Sequence, residues 1–431
     1  MHTFFRNTLI AIFCLYSFGA KAQNNYSTNQ LIERLFDKLS HKQYFDLRKI
    51  YENNERKLPS SYSLFFGAYI DAAFNAPEES NKKIIQLLKF PEGTISPEDM
   101  LGILSIQQQN YIHLFQYQDA WQTGKFITST YKNKMDSESY QNYCNSEKIW
   151  EALMNTPKQD IEQDSDVFIN FTTDKSGLHL VDTQINQYQE SLVFDTGANF
   201  SVLQRSVAKK LKLNIMDVNF QTTTATGKKV NSDLAVIPKL NIGEISIKNA
   251  VFIIFDDEDL RFASTDYEIK GIIGFPVIRA LKEIHVNQNN TLFIPKEAGA
   301  YANKNLALDG LTPIIEVKCD DVPLAFHFDT GANLSSLYPR YYEKYKGEIN
   351  KKYTLQTFST GSVGGYSENK GYVLKKINLS VNDNQAKLKH IRLTIDANSL
   401  NENVYGNLGQ DFISQFKEYV ISFKSSCLFF K

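Results

Sequence analysis

The chain has 431 residues, with 47 lysines and arginines against 48 aspartates and glutamates, for a formal net charge of −1. Because nucleic-acid-binding proteins carry clustered positive charge, this balance gives no reason to expect a nucleic-acid partner. The four cysteines and seven histidines show no spacing typical of a metal site. Length and composition therefore predict a globular protein of more than one domain, with no metal or other cofactor.

Residues 1–22 have the pattern of a secretory signal peptide. Arg6 precedes an apolar run over Leu9–Phe18, and Ala20-Lys21-Ala22 follows as a small-residue cleavage site. The run is too short to span a bilayer, and no later run reaches the length of a membrane helix. We expect cleavage after Ala22 and export to a bacterial periplasm or the outside, with an uncleaved N-terminal anchor as the alternative.

Residues 23–160 are predicted to form an α-helical domain. Apolar side chains recur there at helical spacing, as in Leu31, Leu35 and Leu39. Ser96-Pro97 is typical of a helix start, with a capping residue followed by proline at the first helical position.

Two segments of this domain, Gly67–Leu88 and Asn110–Ile127, resemble tetratricopeptide helix pairs, although no 34-residue period holds. A tetratricopeptide-like domain and an irregular helical domain therefore both remain open. Gln159–Asp166 has no large apolar cluster and is predicted to be the linker to the next domain.

One hexapeptide, Phe-Asp-Thr-Gly-Ala-Asn, occurs twice, at Phe194–Asn199 and at Phe328–Asn333. Apolar residues lead into both copies, which is typical of buried strands, and a serine follows at the same offset, at Ser201 and Ser335. A single Asp-Thr-Gly is also ordinary turn chemistry. Two copies in register indicate two aspartates in equivalent settings.

The repeat extends well beyond the hexapeptide. Asp195 and Asp329 are 134 residues apart. A Thr-Gly pair lies 32 residues after each aspartate, and an apolar-Gly step lies 79 or 80 residues after it. These landmark glycines are Gly227, Gly274, Gly361 and Gly409. An internal repeat that keeps its register over so many positions predicts two structurally equivalent halves.

Two carboxyl groups held a few ångströms apart cannot both ionise, so they share a proton, and one serves as base while the other serves as acid. With its duplicated Asp-Thr-Gly-Ala motif, the chain resembles the retropepsin-like and pepsin-like aspartic proteases. The resemblance implies a single-chain aspartic endopeptidase that acts on polypeptides through water activated between Asp195 and Asp329. Glycosidases also use paired carboxylates, but theirs need different environments, whereas these two share one.

The resemblance also implies roles for the residues around the aspartates. Gly197 and Gly331 would allow a sharp turn and leave backbone N–H groups to orient the carboxylate oxygens. Thr196 and Thr330 would bond across to the opposite loop and hold the two halves together.

Ala198 and Ala332 stand where many pepsin-like enzymes have a serine or threonine whose hydroxyl donates to a carboxylate. Such a donor lowers the pKa of a carboxyl group, and alanine provides none. We therefore expect a rate profile centred in the mildly acidic to near-neutral range.

Ile272-Ile273-Gly274 and Asn407-Leu408-Gly409 resemble the strands that flank each active-site loop in this family. The second departs from the apolar pattern at Asn407, and Gln410-Asp411 replaces Phe275-Pro276 of the first. We expect these departures to affect local packing only.

Two hairpins are predicted where the family has flaps over its cleft. The first has no tyrosine between Phe220 and Lys239, unlike pepsin-like flaps, and is closer to the retroviral type. Surface hairpins without a substrate role are the alternative. The flap and substrate-binding candidates are Thr226, Gly227, Thr360, Gly361 and Tyr366.

The fold implied by the resemblance is multidomain, an all-β bilobal aspartic-protease (acid protease) fold preceded by the α-helical domain. The lobes are expected at 165–300 and 305–431, each a closed, mostly antiparallel barrel-like unit. Residues 167–195 and 312–329 would each form a hairpin leading into an active-site loop, with Asp320-Asp321 as the second turn. The whole corresponds to a fused dimer of the retroviral kind, so we expect activity as a monomer.

Several questions stay open at this level. The helical domain is either retained, where it could dock a protein partner, or a propeptide; its mixed charges favour retention. The alternative to an active protease is a catalytically inactive peptide-binding protein of the same fold.

A disulfide between Cys319 and Cys427 is conceivable, but a core of this size does not need it. His285 and His327 are predicted to be packing residues.

Overall fold

A computed structural model describes residues 27–224, 227–262, 267–363, 365–396 and 403–431. The predicted signal peptide and the flap candidate Thr226 lie outside the described residues. Within them, a helical region precedes a β region of two lobes, which is the arrangement that the sequence predicts.

Seven α-helices form the described part of the N-terminal region. Leu31 and Leu35 are fully buried, as their spacing predicts, and the Ser96 hydroxyl caps its helix by accepting a hydrogen bond from Asp99 N at 3.1 Å. The helices are α1 Thr28–Ser40, α2 Tyr44–Asn54, α3 Ser60–Ala73, α4 Pro77–Leu87, α5 Pro97–His113, α6 Tyr117–Thr130 and α7 Ser137–Leu153, with short 3-10 helices at Glu55–Lys57 and Lys132–Lys134.

Three turns between these helices are built alike. Lys42, Asn75 and Phe115 have φ values of 48°, 56° and 55°, and in each case the next residue donates a 2.8 Å hydrogen bond to a carbonyl oxygen five residues earlier. A left-handed residue in this position ends a helix and lets the chain turn back. The segment Asn110–Ile127 consequently holds the end of α5, a turn and most of α6, so its apolar spacing does not belong to one helix.

The first lobe contains a closed barrel. Its elements are β1 Asp160–Glu162, β2 Val167–Asn170, β3 Thr172–Thr173, β4 His179–Ile185, β5 Tyr188–Phe194, β6 Ser201–Gln204, α8 Arg205–Lys210, β7 Ile215–Thr223, β8 Lys229–Ile242, β9 Ile245–Phe255, a 3-10 helix Asp257–Leu260, β10 Arg261–Phe262, β11 Tyr267–Glu268, β12 Gly271–Ile273, α9 Phe275–Ala280, β13 Glu283–Asn287 and β14 Thr291–Ile294. Six strands form a ring in the order β9-β6-β12-β5-β4-β8, because β8 also pairs with β9.

The second lobe repeats this ring. Its elements are β15 Leu306–Asp309, β16 Thr312–Cys319, β17 Val322–Phe328, β18 Ser336–Leu337, α10 Pro339–Lys352, β19 Gln356–Ser362, β20 Gly365–Val381, β21 Asn384–Thr394, β22 Gly406–Leu408, α11 Gln410–Ile413, β23 Glu418–Ser422 and β24 Cys427–Phe430. The ring runs β21-β18-β22-β17-β16-β20 and closes through β16 and β20. The two rings match strand by strand, and four of the six pairings in each are antiparallel, as the predicted barrels require.

A five-stranded sheet joins the lobes, in the order β2-β14-β13-β23-β24. Strand β13 of the first lobe pairs antiparallel with β23 of the second, from Glu283 opposite Ser422 to Asn287 opposite Glu418. The sequence analysis did not foresee this sheet. The hairpin expected within 167–195 is formed by β4 and β5 and leads into Asp195, whereas β2, at the start of that range, pairs with β14.

Two shorter predictions have opposite outcomes. Asp320 and Asp321 have φ values of 44° and 67° and connect β16 to β17 with Cys319 opposite Val322, so the predicted two-residue turn is confirmed. The linker prediction for Gln159–Asp166 is wrong in part. Asp160–Glu162 forms an edge strand paired with β9, because an extended polar segment can still pair through its backbone.

His285 does more than pack. Its Nε2 atom lies 2.9 Å from Glu283 Oε1, and its Nδ1 atom lies 3.2 Å from Glu418 Oε1. It therefore connects acidic side chains of both lobes within the joining sheet. His327 is closer to the prediction, since its partly buried ring stacks edge-on against Tyr338 and burial lowers its pKa to about 4.

The helical region packs against both lobes. Residues of α1–α4 share an apolar core with Ala307, Ile314 and Val404 of the second lobe. Helices α6 and α7 share another core with the first lobe, where the rings of Trp150 and Phe200 have centroids 6.1 Å apart. The helices thus bridge the two halves.

The described residues include no helix with the length and apolarity needed to cross a membrane. Cys144, Cys319 and Cys427 are all free thiols, so the bridge considered between Cys319 and Cys427 is not formed.

Candidate active site

Each of the two aspartates follows directly after a buried strand of its barrel. Strand β5 ends at Phe194 and β17 ends at Phe328, and both phenylalanines are buried. Asp195 N donates to Ile273 O at 3.0 Å, and Asp329 N donates to Leu408 O at 3.0 Å. The flanking strands β12 and β22 therefore hold the backbone of the aspartates in equivalent ways.

The two carboxyl groups meet where the lobes join. A hydrogen bond connects the side chains of Asp195 and Asp329, and both residues are half-buried. The glycines confirm how close the two loops are. A Cβ placed on Gly197 would lie 2.5 Å from Asp329 Cγ, and one placed on Gly331 would lie 2.1 Å from Asp195 Cγ. Only glycine fits at these two positions.

Those glycines also orient the carboxyl groups. Gly197 N donates to Asp195 Oδ1 at 2.7 Å, and Gly331 N donates to Asp329 Oδ1 at 2.9 Å. Backbone N–H donors stabilise an ionised carboxylate and fix its rotation. The turn and the orientation expected of Gly197 and Gly331 are both present.

The threonines form a reciprocal network across the lobes. Thr196 Oγ1 donates to Phe328 O at 2.9 Å and accepts from Thr330 N at 3.1 Å. Thr330 Oγ1 donates to Phe194 O at 2.8 Å and accepts from Thr196 N at 3.0 Å. Both threonines are completely buried, so their hydroxyl groups have no water to replace these partners. The predicted bonds across the loops are confirmed.

A second layer repeats in both halves. The hydroxyl groups of Ser201 and Ser335 accept hydrogen bonds from Gly274 N and Gly409 N, each at 3.0 Å. The carbonyl oxygens of Ala198 and Ala332 accept from the residue after each of these glycines, at 2.8 Å. The serine found at a constant offset thus ties each active-site loop to its flanking strand.

Burial is the largest influence on the ionisation of the pair. It raises the pKa of Asp195 well above the ordinary value, and the nearby charge of Asp329 raises it further. Burial also raises the pKa of Asp329, while a hydrogen bond from Asn407 opposes this shift. Two carboxyl groups in contact with raised pKa values are suited to hold one proton between them.

Asn407 is a site residue that the sequence analysis misjudged. Its Nδ2 atom donates to Asp329 Oδ2 at 2.9 Å, so the expectation that it affects packing alone is wrong. Gln410 also has a role in the loop, since its Nε2 atom donates to Thr330 O at 2.8 Å. The signal was present in the register of the repeat, where Asn407 takes the position of Ile272 directly beside an active-site strand.

The two predicted hairpins exist as β7–β8 and β19–β20. Gly227, with φ of 80°, turns the first, and nothing lies within 4 Å of where its Cβ would stand. In the second, Thr360 pairs with Ser367, and Gly361 pairs with Tyr366. The structure does not bring Gly227 or Gly361 against the aspartates, so the flap candidates stay predictions as substrate contacts.

The second hairpin nevertheless reaches towards the other lobe. Val363, at its tip, packs against the apolar cluster that contains Val193 and Ile272 of the first lobe. Among the described residues, no group of three or more histidine, cysteine, aspartate or glutamate side chains is arranged to hold a metal ion.

Part of the chain is similar to known proteins. The profile of a family described as Aspartyl protease matches residues 181–277, which include Asp195 and its flanking strand. A retropepsin-like aspartic protease from Rickettsia conorii, known from its crystal structure, is 17% identical to this chain, with a TM-score of 0.24, over 30% of this chain and 99% of that chain. No curated protein matches. The family match thus covers much of the first lobe, and the second lobe repeats its strand order and its Asp-Thr-Gly-Ala motif.

Proposed function

We propose that this protein is an aspartic endopeptidase that hydrolyses peptide bonds with water activated between Asp195 and Asp329. One observation carries the proposal, the contact between the two carboxyl groups under a threonine network that spans both lobes. A pair held this rigidly keeps its geometry through a reaction cycle, which general acid–base catalysis requires.

The reaction needs a singly ionised pair. The ionised carboxylate takes a proton from water while the water oxygen attacks the carbonyl carbon, and the protonated aspartic acid donates to the carbonyl oxygen. The resulting tetrahedral diol collapses when the C–N bond breaks and the leaving nitrogen receives a proton. The pair returns to its starting state with one proton.

Other features support finer parts of the proposal. Both aspartates come from one chain, which favours activity as a monomer. Two hairpins of the type that encloses extended peptides stand on equivalent strands of the lobes, which favours a polypeptide substrate. The helical region shares cores with both lobes, which favours a retained domain that could also dock a protein partner. The N-terminal sequence pattern favours export.

The decisive experiment replaces each aspartate with its near-isosteric amide. Asp195→Asn and Asp329→Asn should each lower the cleavage of unfolded casein by at least about 100-fold, because neither variant retains a pair that shares a proton. Asp383→Asn, in an exposed turn of the second lobe, is the matched control and should cleave at the wild-type rate. Circular dichroism should show the same fold in all three.

Two outcomes would contradict the proposal. Turnover kept in either folded single variant would remove the pair from the mechanism. Wild-type protein that binds casein without cutting it, and that pepstatin-like inhibitors do not affect, would indicate the catalytically inactive peptide-binding protein instead.

A further inference from the structure

The two halves of the active site differ in one donor beside the aspartates. Asn407 lies in β22 next to the strand that carries Asp329, and Ile272 lies at the equivalent place in β12 next to the strand that carries Asp195. Asn407 Nδ2 donates to Asp329 Oδ2 at 2.9 Å, and the residue is only 9% exposed. Ile272 has no polar group with which to do the same for Asp195.

The other donors to the pair are matched. Gly197 N donates to Asp195 at 2.7 Å, and Gly331 N donates to Asp329 at 2.9 Å. The threonine network forms equivalent hydrogen bonds in both loops. Among the described residues, Asn407 is thus the donor that breaks the symmetry of the pair.

An amide N–H donor stabilises the ionised form of the carboxylate that accepts from it. Two carboxyl groups that share one proton are nearly degenerate when their surroundings are identical, so a single extra donor decides where the negative charge resides. Burial raises the pKa of both aspartates, but the hydrogen bond from Asn407 lowers the pKa of Asp329 alone. This difference also favours Asp329 as the ionised member of the pair.

We propose that Asn407 is a positioning residue that makes Asp329 the ionised base and Asp195 the protonated acid at the start of each cycle. This deepens the endopeptidase function proposed above and rests on it. In the first step, Asp329 takes a proton from water as the water oxygen bonds to the carbonyl carbon, and Asp195 gives its proton to the carbonyl oxygen. When the C–N bond breaks, Asp329 returns its proton to the nitrogen, and Asp195 recovers a proton from a diol hydroxyl.

Two titratable groups lie close to Asp329. Asp195 faces Asp329 from the opposite loop, and His327 precedes Asp329 by two residues on β17. Burial lowers the pKa of His327 to about 4, so its ring is neutral at the mildly acidic to neutral pH at which the enzyme is expected to work.

The test replaces Asn407 with the residue of the other half, as Asn407→Ile, and measures kcat/KM against pH. The acid limb reports the first proton lost from the pair. Because Asn407 stabilises the singly ionised pair, its removal should move this limb to higher pH by about one to two units. The basic limb should keep its position on the pH axis. It reports loss of the proton from Asp195, and Asn407 contacts an ionised Asp329 both before and after that loss. Ile272→Val, in the equivalent strand, is the control and should move neither limb.

A second measurement does not need activity. In Asp195→Asn protein, Asp329 is the carboxyl group left of the pair, and its titration can be followed by carbon-13 NMR of labelled aspartate. Adding Asn407→Ile should raise the midpoint, whereas a merely structural role would leave it unchanged. If Asn407→Ile does not fold, Asn407→Ala serves both measurements.

The inference is overturned if the acid limb and the NMR midpoint both stay or move to lower pH in a folded variant of an active protease. If wild-type protein does not cleave casein but Asn407→Ile raises the NMR titration midpoint of Asp329, the proposed function is wrong. The assignment of the negative charge to Asp329 would still hold.

Discussion

Gly197 and Gly331 stand where any side chain would meet a carboxyl group of the opposite lobe. The Cβ of an alanine would come within 2.5 Å of Asp329 Cγ or within 2.1 Å of Asp195 Cγ, and the threonine network keeps the two loops from moving apart. At the scale of single residues, these two positions tolerate the least change.

Gly331→Ala should therefore lower kcat by about 100-fold or more, because a displacement near 1 Å is enough to misalign reacting groups. Casein turnover and thermal unfolding measure the effect. Gly347→Ala is the control, since Gly347 is exposed in α10 with nothing within 4 Å of an added Cβ. That change should leave activity unaltered and stabilise the protein by about 0.5–1 kcal/mol. A fully active Gly331→Ala protein would mean that the loops do not approach as described.

The pH dependence follows from the same residues. Burial raises the pKa of both Asp195 and Asp329, and a carboxyl group with a raised pKa stays protonated to higher pH. The singly ionised pair should thus persist in the mildly acidic to near-neutral range. Ala198→Ser combined with Ala332→Ser adds hydroxyl donors and should shift the whole profile towards acid by about one unit. A wild-type optimum below about pH 3 would contradict this reasoning.

At the scale of elements, α7 holds the outer strand of the first hairpin. Asn145 Nδ2 donates to Gln221 O at 2.7 Å, and Asn145 Oδ1 accepts from Gln221 N at 2.8 Å. Lys148 Nζ adds a bond to Asn219 O at 3.0 Å. The Asn145 amide thus forms hydrogen bonds with edge strand β7 as a neighbouring strand would, and it restrains the hairpin that contains the flap candidate Gly227.

Asn145→Ala should loosen this hairpin while leaving the barrel folded. Each lost hydrogen bond contributes about 1 kcal/mol, so amide hydrogen exchange in β7 should accelerate about fivefold or more. A looser flap should raise KM more than it lowers kcat. Asn142→Ala, at an exposed position of the same helix, is the control. Unchanged exchange at Gln221 would show that α7 does not restrain the strand.

At the scale of the whole molecule, the helical region is packed against both β lobes. Two polar contacts join the helical region to the second lobe. Lys42 Nζ lies 2.7 Å from Asp309 Oδ2 of that lobe, and Ser426 Oγ of the same lobe donates to Phe74 O at 2.6 Å. Trp150 and Tyr117 pack into the core of the first lobe. Removing the helices would expose apolar surface on both lobes at once, and exposing apolar surface to water is unfavourable.

A retained helical domain predicts that native protein begins near Gln23 and not between Asp160 and Val167. N-terminal sequencing of material from its own compartment decides the point, and a start near residue 165 would identify a propeptide. Limited proteolysis gives an independent check. After a cut between Gln163 and Asp166, the two fragments should still elute together in size-exclusion chromatography, because the shared cores remain buried. Separation of the fragments under native conditions would contradict the bridging role.

Much of this protein is determined by sequence alone, wherever the information is local or repeated. The barrels were implied by the family resemblance. The apolar residues that lead into Asp195 and Asp329, the register of the glycines and the apolar spacing in α1 predicted the buried strands, the two equivalent halves and the helical region. Each of these depends on neighbours within a few positions, or on a copy of the same pattern elsewhere in the chain.

The tertiary structure decided what depends on residues that lie far apart in the chain and have no copy. Strand β2 pairs with β14, 120 or more positions away, and no local pattern predicts this pairing. Asn407 is a departure from an apolar pattern in sequence, and only the closing of the second barrel brings its amide to Asp329 Oδ2. The repeat predicted a symmetric pair of carboxyl groups. Its register shows that Asn407 replaces Ile272, but only the tertiary structure shows that the Asn407 amide donates to one carboxyl group of the pair.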